Sequence, residues 1–256
     1  MPVEVLRANV RKVIIEMLRY LPNTVSLVIT FYVIFLGVFF GIKVVGDPAT
    51  VEENVRYLIV SNAFWFLLIL GISSMGWEVT AEATRGTLEQ LYMSPLGAWR
   101  ILLARMVGVV GANLLIMIAM IFVSMLTAGQ WLNLAPVPLL LILAPMLVGI
   151  TGLGYATAGL AIVYKQIQAF LQIVQFAFMG LAFVPLSAAP WLELAPLVKG
   201  IDMVRQVMVS GYGLADFGAA DWLSLLLNSA VYFALGLTAY LACERRAMNR
   251  GLLGQY

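Results

Sequence analysis

Long apolar runs alternate along this chain with short polar interruptions, and the length of each run limits what it can be. Six runs stand out, at about Asn23–Val45, Tyr57–Trp77, Ile101–Ala128, Leu139–Tyr164, Gln168–Leu186 and Leu223–Ala242. Each is close to or above the ~20 residues with which an α-helix crosses a bilayer. Backbone polar groups must be satisfied internally in lipid, so the runs predict helices. Pro2 to Tyr20 has another pattern, with Leu6, Val10, Val13, Ile14, Met17 and Leu18 on one helical face and Arg7, Arg11, Lys12, Glu16 and Arg19 on the other. That spacing predicts an amphipathic helix in the membrane interface, and the lack of an unbroken apolar core argues against a signal peptide.

The expected fold is therefore an all-α membrane protein, one transmembrane unit over residues 1–256. Six transmembrane helices follow an interfacial helix at 1–20. A structured polar loop lies at 78–100, and a long loop at 187–221 holds short re-entrant helices on the outer side. Within that loop Pro190, Trp191 and Pro196 break the chain, and Lys199 to Val209 is amphipathic but too short to span. The 78–100 loop carries helix punctuation. Thr87 with Gln90 has the form of a capping box, and Ser94-Pro95 that of an N-cap and first-turn pair.

Composition removes the soluble classes, because 62% of residues are hydrophobic and 11% charged, with a mean hydropathy of +0.97. With no histidine and one cysteine, Cys243, an intrachain disulfide is impossible and the commonest metal ligand is missing. The net charge of +2 is too small to suggest nucleic acid. Its distribution gives the orientation. Arg7, Arg11, Lys12, Arg19, Arg85, Arg100, Arg105, Lys165, Arg245, Arg246 and Arg250 fall on one side of a six-span chain, and Lys43, Arg56, Lys199 and Arg205 on the other. Basic residues favour the cytoplasm, so both termini and the 78–100 loop are expected there, in a protein of the plasma (cytoplasmic) membrane.

The spans carry some chemistry. Gly37-x-x-x-Gly41 lets two helix backbones approach, either within one chain or across a dimer interface. Gly149, Gly152, Gly154 and Gly159 fit close packing, since no G-x-x-x-x-G-K-[ST] pattern makes them a phosphate loop. Gln168, Gln172 and Gln175 recur at helical spacing and put three amides on one face, for interhelical bonds or for a water-filled path. Asn62 and Phe66 are the other candidates for that path.

One motif is more specific. Glu82, Gly86, Thr87, Leu88, Glu89, Leu91, Ser94, Pro95 and Leu96 form the pattern E-x-x-x-G-T-L-E-x-L-x-x-S-P-L. The pattern resembles the loop between the second and third spans of type-2 ATP-binding-cassette (ABC) permeases, the daunorubicin-resistance and polysaccharide-export kind. The resemblance implies a coupling helix resting on a separate nucleotide-binding ATPase subunit, which would bind ATP and Mg, with no cofactor or metal in this chain. It implies ATPase coupling by Glu82, Arg85, Gly86, Thr87, Leu88, Glu89, Leu91, Ser94 and Pro95, and a contact of the N-terminal helix with the same subunit. A homodimer or a sibling pair is implied through the first and fifth spans, with membrane lipid around it. The outer loop resembles the family through Pro196, Asp202 and Arg205, with Ala-Pro-Leu in place of the usual Asn-Pro-Leu.

No nucleotide-binding motif is present in this chain, so an ATP-driven partner or a gradient must supply the energy. Ion-coupled carriers usually hold ionisable groups in mid-membrane, and none is evident here. The expected function is the permease subunit of an exporter of amphipathic, lipid-like, drug or glycan cargo, and not an enzyme. A secondary transporter or channel without an ATPase is the alternative. An intramembrane enzyme or an assembly factor would belong to a third class, and no catalytic constellation supports the enzyme.

Overall fold

The computed structural model of the protein describes residues 3–95 and 97–251, with side chains from residue 7 onward. Leu96 of the motif and the side chain of Leu6 lie outside the described residues. Among the described residues the chain is helical, without a strand. The α-helices are α1 (Val3–Arg19), α2 (Leu21–Val45), α3 (Val51–Thr84), α4 (Leu88–Tyr92), α5 (Ala98–Ala128), α6 (Pro136–Tyr164), α7 (Gln168–Phe183), α8 (Val198–Ser210) and α9 (Ala219–Asn249). Of these, α2, α3, α5, α6 and α9 are long and apolar enough to cross a membrane. The predicted fifth span is the shorter α7, 16 residues long. It ends before Leu186 because Val184 precedes Pro185 and adopts an extended backbone, as the proline ring requires of its neighbour.

α3 is the centre of the molecule. A helix that is apolar on every side has to be buried on every side, and from Leu58 to Ile69 every residue of α3 is buried. α2, α5, α6, α7 and α8 all pack against it.

The α6–α9 pair is closest, and glycine makes that approach possible. A Cβ on Gly236 of α9 would overlap the Gly152 carbonyl of α6, and one on Gly152 would overlap the Phe233 backbone. One added to Gly159 would come within 3.0 Å of the Tyr240 Cα. Gly154 turns to the other side, toward Met75 and Gly71 of α3, where the Thr157 hydroxyl donates to the Ile72 carbonyl at 2.6 Å. The glycines of the predicted fourth span are thus packing residues on two faces.

α1 lies against α5, where Gly108 admits Val10 and Val13. Val13 is buried, whereas Ile14, Ile15 and Leu18 are exposed, so the apolar stripe is divided between the protein and an outer apolar surface.

At the opposite end of the helices, the segment between α7 and α9 is pinned by one side chain. The Asn228 amide accepts the Leu197 N–H at 3.2 Å and donates to the Ala195 carbonyl at 3.0 Å. Leu197 needs that support, since its φ of +69° is a region that side-chain-bearing residues rarely adopt. Nearby, Lys199 bridges Glu193 at 3.2 Å and Asp221 at 2.8 Å. The Ser224 hydroxyl and the Lys199 ammonium hold Glu193 below its ordinary carboxylate range. Asn228→Leu leaves a buried N–H without a partner and is expected to cost about 2 kcal/mol, read as a fall in melting temperature of the purified protein.

Candidate functional site

The polar interruption after the second predicted span is a short, well-anchored corner. α3 continues past Trp77 through Thr84, because that stretch contains no helix breaker. Gly86, at φ +72°, ends the helix, a conformation glycine adopts without steric penalty. α4 follows, with Leu88 and Leu91 buried against the core. Its outward edge is open: Arg85, Gly86, Glu89, Gln90, Met93 and Pro95 are exposed, Met93 by 83%.

Two local expectations differ. Thr87 stands at the N-cap position but makes no cap bond. Its hydroxyl donates instead to the Glu82 carboxylate and, at 3.2 Å, to the Glu82 carbonyl. A buried carboxylate needs donors more than an exposed helix end does. Ser94-Pro95 does not start α5 either, because Gly97, at φ +76°, occupies that N-cap and its N–H bonds the Ser94 carbonyl at 3.1 Å.

Glu82 points inward, only 9% exposed. Arg105 Nη1 of α5 donates to Glu82 at 2.7 Å and to Glu78 at 2.6 Å, and Lys12 Nζ of α1 reaches Glu78 at 2.9 Å. Lys12, Glu78, Arg105, Glu82 and Thr87 therefore connect α1, α3, α5 and the start of α4. At the other end of α4, the Tyr92 hydroxyl meets that of Tyr240 at 3.0 Å. Tyr240 of α9 is fully buried, its ring 5.4 Å from that of Tyr155, and Tyr155 donates to the Trp99 carbonyl at 2.7 Å. Burial pushes the Tyr92 phenol well above its ordinary value despite the Tyr240 bond. α4 is thus held at both ends while its outer edge is free of the bundle.

Two clefts lie along the seam of α2, α3 and α7. One, of about 330 Å³, is lined by Gln168, Gln172, Gln175 and Ser73. The other, of about 390 Å³, lies beside Glu53, Asn54, Tyr57 and Ser61. Aromatic rings separate them: Phe31 packs 4.8 Å from Trp65 and 5.0 Å from Phe66, and Trp65 packs 6.2 Å from Phe183. The five path candidates therefore divide. The glutamines reach a cleft, whereas Asn62 and Phe66 are buried, Asn62 donating to the Phe31 carbonyl at 3.5 Å. They are enclosed because α3 is covered all round.

The family model described as ABC-2 family transporter protein matches residues 21–238. The chain belongs to that family. It is an integral membrane permease subunit of an ABC transporter, not itself the ATPase, and its family implies partnership with an ABC ATPase subunit. A search of curated proteins gave no match.

Gly37 and Gly41 of the permease have nothing within 4 Å of an added Cβ, so this face of α2 is open in the single chain. Arg205 of α8 is 2% exposed. Its Nη2 donates to Ser61 at 2.7 Å and to the Ala182 carbonyl, and its Nη1 to the Val184 carbonyl at 3.4 Å. A cation there satisfies the carbonyls at the end of α7, where the helix dipole is negative. Sequence reasoning passed over Arg105 and Lys12 as ion-pair partners, and over Tyr92 and Tyr240. Charge spacing along α3 was the only available signal, since Glu78 and Glu82 lie four residues apart on one face.

Proposed function

We propose that the permease is the membrane half of an ATP-driven exporter and that the exposed edge of α4, centred on Arg85 and Glu89, docks on the ATPase, which binds the ATP and Mg. The observation that carries this is the anchoring of α4 at both ends with its opposite edge unoccupied. A helix held in this way can receive a push and pass it on. Glu82 and Thr87 then act as internal connectors rather than docking contacts. Their network carries movement to α1, α3 and α5, and the Tyr92–Tyr240 contact carries it to α9 and α6.

The proposed topology has six crossings with both termini in the cytoplasm. α7 supplies the sixth, although 16 residues rise only about 24 Å. It is supported by contacts at both ends, with Thr80 against the Lys165 carbonyl at 3.5 Å and Ser61 against Arg205 at 2.7 Å. Nineteen residues of α3 separate Ser61 from Thr80, which is about 29 Å of helix, close to the ~30 Å hydrocarbon core. The segment with α8 lies at the outer face.

The open face of α2 with Gly37 and Gly41, together with α7, forms the contact with a second permease. The path follows the α3–α7 seam past Gln168, Gln172 and Gln175, which suits amphipathic or hydroxyl-rich cargo better than multiply charged cargo. Glu89→Arg reverses a charge on the docking edge. In the reconstituted complex it is expected to lower ATP-dependent transport at least about tenfold, as for a central interface contact, with membrane insertion unchanged. Normal transport by this variant would remove Glu89 from the docking edge.

A further inference from the structure

A third cavity, of about 320 Å³, lies between α1, α2, α3 and α5. Two of its lining side chains are out of keeping with their surroundings. Asn113, in the middle of α5, is 8% exposed, and Ser73 of α3 is 7% exposed, yet among the described residues neither side chain has a hydrogen-bond partner. Ser73 is exceptional on its own helix. Ser61, Thr80 and Thr84 each donate to the carbonyl four residues back, and Ser74 to that of Gly71, the usual resort of a hydroxyl in a membrane helix. Neither polar group is sealed off, since among the described residues the enclosed unpartnered side-chain atoms are Asn62 Oδ1, Arg105 Nε, Arg205 Nε and Ser229 Oγ. The Ser73 hydroxyl and the Asn113 amide therefore open onto the cavity, where a ligand with polar groups can complete them.

The cavity also indicates what that is. Glu16, Asn23 and Thr24 line it on the α1–α2 side, where Lys12 lies between Glu16 and Glu78. Ser73 lies five residues along α3 from Glu78, roughly 8 Å deeper. The remaining walls are mostly apolar, and the one charged lining residue, Glu16, already faces Lys12 at 3.8 Å. A charged ligand would find no free counter-charge at depth, whereas an uncharged hydroxyl or amide could both donate to and accept from Ser73 and Asn113.

We infer that this cavity binds an uncharged, hydroxyl- or amide-bearing amphipath from the membrane leaflet that surrounds α1, its polar end on Ser73 and Asn113. The site does not depend on α4 or on an ATPase. It adjoins the glutamine cleft, since Leu27, Leu70, Ser73 and Trp77 line both.

The test places the full-length permease in phosphatidylcholine nanodiscs with a monoacylglycerol carrying a photoreactive diazirine in its acyl chain, and maps the labelled peptides. Labelling is expected within residues 70–77 and 109–116, displaced by unlabelled monoacylglycerol. Ser73→Ala with Asn113→Leu is expected to lower it about tenfold, the loss of two hydrogen bonds. Ala112→Phe, which fills the cavity and spares both polar groups, is expected to lower it as well. Labelling spread over lipid-facing positions such as Leu126 and Leu140, unchanged by all three substitutions, would overturn the inference, as would a cavity that excludes the probe and holds only water.

Discussion

Replacing Arg105 by leucine is expected to destabilise the α3–α4 corner more than any other single charge removal. Arg105 is the common partner of Glu78 and Glu82, and Glu82 has little access to water. Lys12 still holds Glu78, but Glu82 loses its cation, and taking away one member of a buried pair in this way typically costs about 3–5 kcal/mol. For a chain of this size that corresponds to a fall of roughly 6–20 °C in melting temperature. The sign should partly reverse in the double variant Arg105→Leu with Glu82→Met, where apolar groups replace both partners and no buried charge is left between them. Full stability of the single variant would mean that the network is solvated and does not fix α4. The loss should also be functional, because Thr87 is held through Glu82.

The second large effect is expected at the α6–α9 crossing. Gly236→Ala places a methyl group on the Gly152 carbonyl, and neither backbone can withdraw without separating the helices. Overpacking of this kind costs about 1–3 kcal/mol, and more where backbone is the obstacle. Gly37→Ala and Gly41→Ala are the matched controls, because open space surrounds both positions. In the isolated subunit they are expected to change stability by less than ~0.5 kcal/mol, while a shift in oligomeric state would place them on the proposed contact with a second permease. Comparable melting temperatures for Gly236→Ala and Gly37→Ala would contradict the crossing.

Much of the architecture was legible in the sequence because it depends on local pattern. The apolar runs became helices, the charge alternation before Tyr20 became α1, and the glycines of the fourth run became packing faces. The family was legible through one motif between two spans. What was not legible depends on contacts distant in sequence. Thr87 followed by Gln90 is a sound capping signal, but it cannot reveal that a buried carboxylate five residues earlier competes for the hydroxyl. Lys12 looks like any cation on a polar helix face, and its partner Glu78 lies 66 residues away. Asn113 looks incidental within an apolar run, and its isolation becomes evident only when the facing helices are in place. Asn62 and Phe66 illustrate the converse, since a polar or aromatic residue in a span has no exposure of its own until the neighbours of that span are known.

The coupling proposal separates two roles that the motif joins. Glu82 and Thr87 hold the corner from inside, whereas Arg85 and Glu89 face outward. Substitutions in the first pair should therefore lower stability and coupling together, and those in the second should lower coupling alone.

The most direct measurement places a photocrosslinking amino acid at Gln90, on the exposed edge of α4, and irradiates native membranes before purification. The account predicts a crosslinked product containing an ABC ATPase subunit, lost on Glu89→Arg and absent when the same group is placed at Thr238 in α9. A permease that yields no ATPase adduct from Gln90, or that yields it equally from Thr238, would contradict the assignment of α4 as the docking site.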